Sequence, residues 1–151
     1  MPTMMMNPST ASEILAIVQN TLSMKNTSSV TVVGHSLGGA LALLDGVFLS
    51  LQLPKSVTVK VISYGMPRVG NQAFANLVDS QLSGLVTHVN NQEDPIPTVP
   101  GMFLGFHHPS GEVHIQDSDA WDACPGASLF SFPWCDSIDR ALTLRNLYRS
   151  G

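Results

Sequence analysis

Apolar residues in the first two thirds of the chain recur with two different periods. Ile14, Leu15, Ile17, Val18 and Leu22 follow helical spacing, Ser9 or Ser12 can cap that helix, and Lys25-Asn26-Thr27 ends it. Val30 to Val33 is a β-branched run that reads as a short buried strand. Leu37, Ala40, Leu41, Leu43, Leu44, Val47, Phe48 and Leu51 then make a helix over 37–51 that is apolar nearly all round, which suits burial against a sheet. Pro54 stops it. Val57 to Tyr64 is the next strand, Gly65-Met66-Pro67 breaks it, and Asn71 can start a helix through Phe74, Leu77, Val78 and Leu82, ended by Gly84. Leu85 to Val89 is a third strand, running into the polar loop Asn90-Asn91-Gln92-Glu93-Asp94. Glu112 to Gln116 reads as a fourth. Strand, helix, strand, helix, strand is the order of an α/β layer with a parallel sheet.

From Ala127 the composition shifts to Ser, Phe and Pro, and a helical stretch follows from Ser137 to Tyr148, with Arg140, Arg145 and Arg149. Residues 1–126 therefore read as one α/β domain and 127–151 as a divergent, helical tail. The tail is either a surface helix or foreign to the domain. Bulk properties narrow the function. The chain has 151 residues, 44% of them hydrophobic and 12% charged, enough for one core. A net charge of −4 gives no reason to propose nucleic-acid binding. No apolar run approaches the ~18 residues of a membrane span. The start MPTMMMNPSTASEIL has neither a basic leader nor an apolar signal core. Cys124 and Cys135 could close a small loop or remain two free thiols, and two cysteines do not fix the redox compartment.

The chemistry concentrates where the first strand meets its helix. Gly34-His35-Ser36-Leu37-Gly38 is G-x-S-x-G with a strand before it and a helix after it, the setting of a nucleophile elbow that lifts Ser36 into a cleft. Gly34 and Gly38 lack the Cβ atoms that are expected to collide beneath the turn. The helix from Leu37 aims its positive end at the place where an oxyanion would form. A serine hydroxyl needs a base, and the base an acid to orient it. Asp94, just past the third strand and stiffened by Pro95 and Pro97, fits the acid, with Glu93 as its rival. The base is harder to find. His35 neighbours Ser36 on the opposite strand face and reads as a packing residue. His88 precedes the acid, His114 alternates within a strand, and His107 and His108 follow Asp94 in an aromatic loop. No His follows His114. None of these spacings makes a metal site.

Several segments together resemble the secreted filamentous-fungal, class-three triacylglycerol lipases. They are Val32 to Ala40; Tyr64-Gly65-Met66-Pro67-Arg68-Val69-Gly70-Asn71 with Phe74-Ala75; Val86 to Asn90 running through Asp94 to Pro97; and Phe106 to Ile115. They cover roughly residues 9 to 126, in order. The resemblance implies a partial α/β-hydrolase fold, a mainly parallel sheet flanked by helices and lacking the N-terminal strands. It implies hydrolysis of carboxylic esters of long-chain or aryl acids, with no cofactor and no metal. Ser36 would be the nucleophile, Asp94 the acid, and the Leu37 backbone N–H half of the oxyanion hole. His108 falls where the family has a structural His after the acid loop.

The chain departs from the family at both ends. The family's catalytic His lies nearer the C-terminus, in a segment this chain does not show. A long N-terminal half with early strands, a lid and a second oxyanion donor precedes the family's elbow, whereas one helix precedes it here. Met1 and the Met4-Met5-Met6 run fit a start inside a longer reading frame. Without the earlier strands, Val30 to Val33 is expected to be an exposed sheet edge, open to self-association, and the helix over 37–51 to lose cover on one side. The primary reading is a lipase- or feruloyl-esterase-like serine ester hydrolase, with an ester or lipid substrate and impaired turnover in this chain. The alternative is a non-catalytic α/β fragment or partner-binding module. The family is secreted, while this chain shows no signal, so its compartment stays open.

Overall fold

A computed structural model describes residues 10–118 and 120–124. The 127–151 tail and the pairing of Cys124 with Cys135 fall outside them. A five-stranded sheet forms the centre, in the order β1-β2-β4-β6-β7. Its strands are β1 (Ser29–His35), β2 (Thr58–Tyr64), β4 (Val86–Asn91), β6 (Glu112–Ile115) and β7 (Trp121–Cys124). The first four are parallel, and β7 turns back antiparallel to β6. Three helices accompany the sheet: α1 (Thr10–Lys25), α2 (Leu37–Gln52) and α3 (Gln72–Gln81). A two-residue pairing of β3 (Gly70–Asn71) with β5 (Phe106–His107) ties the entry of α3 to the loop before β6. Among the described residues no helix is long and apolar enough to cross a membrane.

Each new parallel strand is added on the same side of its predecessor. Right-handed crossovers that advance in one direction deliver their helices to one face. Burial follows that rule. Leu43, Val47 and Leu49 of α2 and Val78 of α3 pack with Val59, Val61 and Val86 of the sheet into one core, and Leu15, Val18 and Leu22 of α1 lean against it. The opposite face stays open: Val33 is 60% and Tyr64 45% exposed, and Thr31, His35 and Lys60 are exposed beside them. β1 is thus an edge strand alternating between exposed and half-buried residues, not the buried strand its composition implied. Helix α1 begins at Thr10, so Ser12 lies inside it, and Ile17 points to solvent.

Helix α2 corrects the sequence expectation in a specific way. It is apolar all round but buried on one side only, through Gly39, Ala40, Ala42, Leu43, Gly46, Val47 and Leu49. Leu37, Leu41, Leu44 and Leu51 form an exposed stripe on the other side, with Phe48 half-buried in line with them. Asn71 starts α3 as expected: its side-chain oxygen accepts the Phe74 N–H at 3.0 Å.

Two histidines occupy the core between β4 and the loops beyond it. His88 is fully buried, and its Nε2–H donates to the Pro109 carbonyl at 3.0 Å. His108 Nε2–H donates to the Pro97 carbonyl at 2.8 Å. A carbonyl only accepts, so both neutral rings carry their proton on Nε2. The rings stack with centroids 4.8 Å apart, and neither Nδ1 has a partner. Burial is the main force on both, pushing each from 6.5 down to about 4. Asp79 and the Pro109 bond pull His88 partly back, while His88 and Arg68 push His108 further down.

Two outcomes follow. Asn71→Ala should cost about 1 kcal/mol in chemical denaturation and Asn71→Asp little, because only Ala removes the cap acceptor. The histidines set an acid limit. An unfolded His binds its proton near 6.5, whereas these two stay neutral in the fold down to about 4. Their contribution is therefore complete above pH 6.5, is lost as pH falls from 6.5 to 4, and is constant below. Unfolding free energy measured across that window should drop by roughly 3 kcal/mol for one such ring. A His88→Gln variant that still folds should show a shallower decline.

Candidate active site

Ser36 ends β1 and precedes the first turn of α2. Its backbone stands at φ 55° and ψ −127°, a conformation that non-glycine residues rarely hold. The Ser36 N–H donates to the Tyr64 carbonyl at 2.9 Å, which locks the turn to the end of β2. A Cβ on Gly34 would overlap the Gly38 carbonyl, so the strand and the helix start touch through backbone alone. Gly38 itself differs from expectation: a Cβ there would meet nothing within 4 Å. The close approach is therefore enforced from the strand side. The Ser36 side chain makes no capping bond to its helix and is half-buried. In the first turn of α2 the Gly39 and Ala40 N–H groups donate to Ser36 O at 2.9 and 3.3 Å, whereas the Leu37 and Gly38 N–H groups have no earlier helical carbonyl to bond.

Asp94 lies at the carboxyl end of β4, two strands away from β1. With strands about 4.8 Å apart, the ends of β1 and β4 stand ~10 Å apart, room enough for an imidazole. The loop is shaped by its own bonds: the Asp94 N–H donates to Asn91 O at 3.0 Å, and Asp94 Oδ1 accepts the Ile96 N–H at 3.0 Å. Oδ2 reaches over Gly65 at the end of β2, where φ is +55° and a Cβ would come within 2.8 Å of it. Gly65 thus gives both a left-handed turn and space for the carboxylate. Asp94 is half-buried and Glu93 exposed, which favours Asp94 as the acid.

The histidines do not complete the set. Among the described residues none hydrogen-bonds to Ser36 or Asp94. His88 and His108 are committed to Pro109 and Pro97. His107 lies half-buried on β5 and His114 half-buried on β6. His35 is exposed, not packed, because it lies on the open sheet face. Its Nε2 would be 3.9 Å from a Gly65 Cβ, the same point that Asp94 Oδ2 approaches to 2.8 Å. No group of three His, Cys, Asp or Glu side chains gathers among the described residues in a way that could hold a metal.

The loop after Asp94 has two properties that sequence reading missed. Ile96, Val99, Met102, Phe103 and Leu104 are all exposed, Phe103 to 90%, with no charged residue between Asp94 and His107. Four consecutive carbonyls are also held from outside: Pro97 O by His108, Thr98 O and Pro100 O by Arg68 Nη1, and Val99 O by the Arg68 N–H at 2.9 Å. Prolines at 95, 97 and 100, each without an N–H, are the signal that would have announced the need for such donors.

Known proteins resemble this chain in sequence and in fold. The family described as lipase (class 3) matches residues 3–104. The secreted mono- and diacylglycerol lipase MDL2 of Malassezia globosa is 43% identical over 104 residues, which cover 68% of this chain and 34% of that protein. Lipase II from Rhizopus niveus superposes with a TM-score of 0.68 at 31% identity, over 79% of this chain and 46% of that one. A triacylglycerol lipase described as having a serine-protease triad at its catalytic centre superposes at 0.63, with 36% identity over 70% of this chain and 40% of its own. This chain spans about a third of the length of the curated relative it matches. Its mainly parallel sheet with helices is that of the α/β-hydrolase fold of these lipases. Taken with the elbow at Ser36 and the match over residues 3–104, this places the chain in the class 3 lipase family.

Proposed function

We propose that this chain carries the nucleophile and the acid of a serine carboxylic-ester hydrolase acting on lipid esters. The observation that carries the reading is Ser36 itself: an uncapped hydroxyl on a positive-φ turn, between a strand end and a helix start. Relatives named mono- and diacylglycerol lipases support the substrate class. So does the apolar, uncharged rim from Ile96 to Leu104 beside Asp94.

In that reaction Ser36 Oγ attacks the ester carbonyl carbon while a base takes its proton. The carbonyl oxygen becomes an oxyanion facing the Leu37 N–H. Collapse breaks the bond to the alkoxy oxygen, which leaves as an alcohol with the transferred proton. Water then attacks the acyl-Ser36 ester, releasing the carboxylic acid and restoring the hydroxyl. Asp94 would orient the base. No cofactor enters these steps.

The base limits this chain. No His follows His114 in the sequence, and none of those described hydrogen-bonds to Ser36 or Asp94. Loss of the His of such a triad costs about 10⁶ in kcat. Turnover of p-nitrophenyl butyrate should therefore barely exceed that of Ser36→Ala. A fluorophosphonate probe should label slowly, and at Ser36 alone when sites are mapped by mass spectrometry. Labelling spread over other serines would remove Ser36 as nucleophile. Rapid stoichiometric labelling at Ser36 would instead show that a base is present.

The open edge favours a second reading, a module that associates through β1. Ser28 O and Ser36 N–H both bond toward β2, so even-numbered residues point their backbone groups inward. The N–H and C=O groups of Ser29, Thr31, Val33 and His35 then face outward. β1 carries no Lys, Pro or bulge, the usual protections of an edge. Sedimentation should show concentration-dependent self-association, reduced in Val33→Lys. A monomer at all concentrations would remove this reading and leave the first intact.

A further inference from the structure

Pro95, Pro97 and Pro100 leave the loop after Asp94 rich in acceptors and poor in donors. Its own bonds are few. Thr98 N–H and Oγ1–H both turn back to Pro95 O, at 3.1 and 2.7 Å, and the Val99 N–H donates to Ile96 O at 3.2 Å. The carbonyls of residues 97, 98, 99 and 100 therefore need partners from elsewhere in the fold. Two residues meet that need, as shown above: Arg68, in the segment after β2, takes three of them, and His108, just before β6, takes the fourth. The stacked ring of His88 backs His108 from the core.

We infer that Arg68 and His108 form a two-sided clamp that positions the Asp94 carboxylate, with His108 acting only as a neutral donor. The bonds connect through the backbone. The Arg68 main-chain N–H holds Val99 O, the Val99 N–H holds Ile96 O, and the Ile96 N–H holds Asp94 Oδ1, while the guanidinium braces the same turn at Thr98 O and Pro100 O. The segment carrying Arg68 also begins with Gly65, over which Asp94 Oδ2 lies. One stretch of chain thereby fixes the carboxylate from below and its loop from the side. Arg68 and His108 are positioning residues, since neither touches the reacting atoms.

The neutral state of His108 is built in. Its Nδ1 faces no acceptor, and the Arg68 cation and the His88 ring both disfavour a second proton. Glu112 pulls the other way from β6, and Asp79 of α3 acts on His88. A proton on His108 would put a cation against Arg68 in a site with an unpartnered N–H, and the clamp would open on its acid side.

Backbone amide exchange of the full chain tests this without turnover. It therefore stands or falls separately from the hydrolase reading, which supplies only the reason for placing Asp94. His108→Ala and Arg68→Met should each speed exchange at Ile96, Thr98 and Val99 by at least about fivefold. The amides of Val61 and His88 in the sheet should be unchanged. His108→Gln offers an amide N–H where Nε2–H stood and should restore protection. It should also reduce, to the part that His88 causes, the extra loop exchange that the unaltered chain shows on acidification from pH 6.5 to 4. Acceleration spread evenly over loop and sheet would mean a general loss of stability and overturn the clamp. So would unchanged loop exchange, or identical acid loosening in His108→Gln and the unaltered chain. If His108→Ala does not fold, imidazole ¹⁵N shifts of the unaltered chain and the His108→Gln exchange decide: a His108 proton on Nδ1 at neutral pH overturns it.

Discussion

The backbone contact between Gly34 and the carbonyl of Gly38 is the constraint on which this structure turns. It lets helix α2 begin directly over the end of β1 with no side chain between them. That closeness forces Ser36 into its positive-φ turn and aims the first turn of the helix at the carboxyl edge of the sheet. Everything with chemical promise lies along the same edge: Ser36 after β1, Gly65 after β2, and Asp94 after β4. A parallel sheet makes that alignment natural, because all its strands end on the same side. Strained backbone of this kind costs of order 1–3 kcal/mol and persists only where its surroundings hold it. Here the Ser36 N–H bond to Tyr64 O supplies part of that hold.

The second organising fact is that, among the described residues, helices cover the sheet on one face only. Parallel sheets are usually buried on both. In this chain Val33, Tyr64 and their neighbours face outward, and β1 presents an unprotected edge. The site therefore combines a well-determined half, the turn and the acid loop, with a surface built like an interior. The chain covers 34% of its curated relative.

Much of this was legible in the sequence, and the limits have physical causes. The strand, elbow and helix over residues 29–52 could be read because β-branched residues, two glycines and an apolar period all agree there. Asn71 announced its cap because an N-cap is a local interaction between residues three apart. The pairing of Gly70–Asn71 with Phe106–His107 left no signal, since a two-residue bridge is created by tertiary contact rather than by periodicity. Strand β7 was missed as well: Trp121–Cys124 is short and gains its identity only from β6 beside it. His35 was misjudged because alternation reveals which face a residue takes but not whether that face is covered. Motif and chain order pointed to Ser36 and Asp94, and the structure sets both at the carboxyl end of the sheet. The capture of the loop carbonyls by Arg68 and His108 joins residues from 11 to 32 positions apart, and only three-dimensional structure displays it.

Helix α2 carries one further lesson. Its two long faces are equally apolar, so hydrophobicity alone does not say which should meet the sheet. Size decides instead. Gly39, Ala40, Ala42 and Gly46 fall on the inner side, while leucines dominate the outer one. At Gly46 the Val61 side chain already occupies the place a Cβ would take. Leu43, Val47 and Leu49 fill the space between these small residues, and turning the helix over would drive leucines against Ser63, Met66 and Val61 where Gly39 and Gly46 now let them approach. The rotation of this helix about its own axis, and with it the direction in which Ser36 points, is thus encoded in volume rather than in polarity.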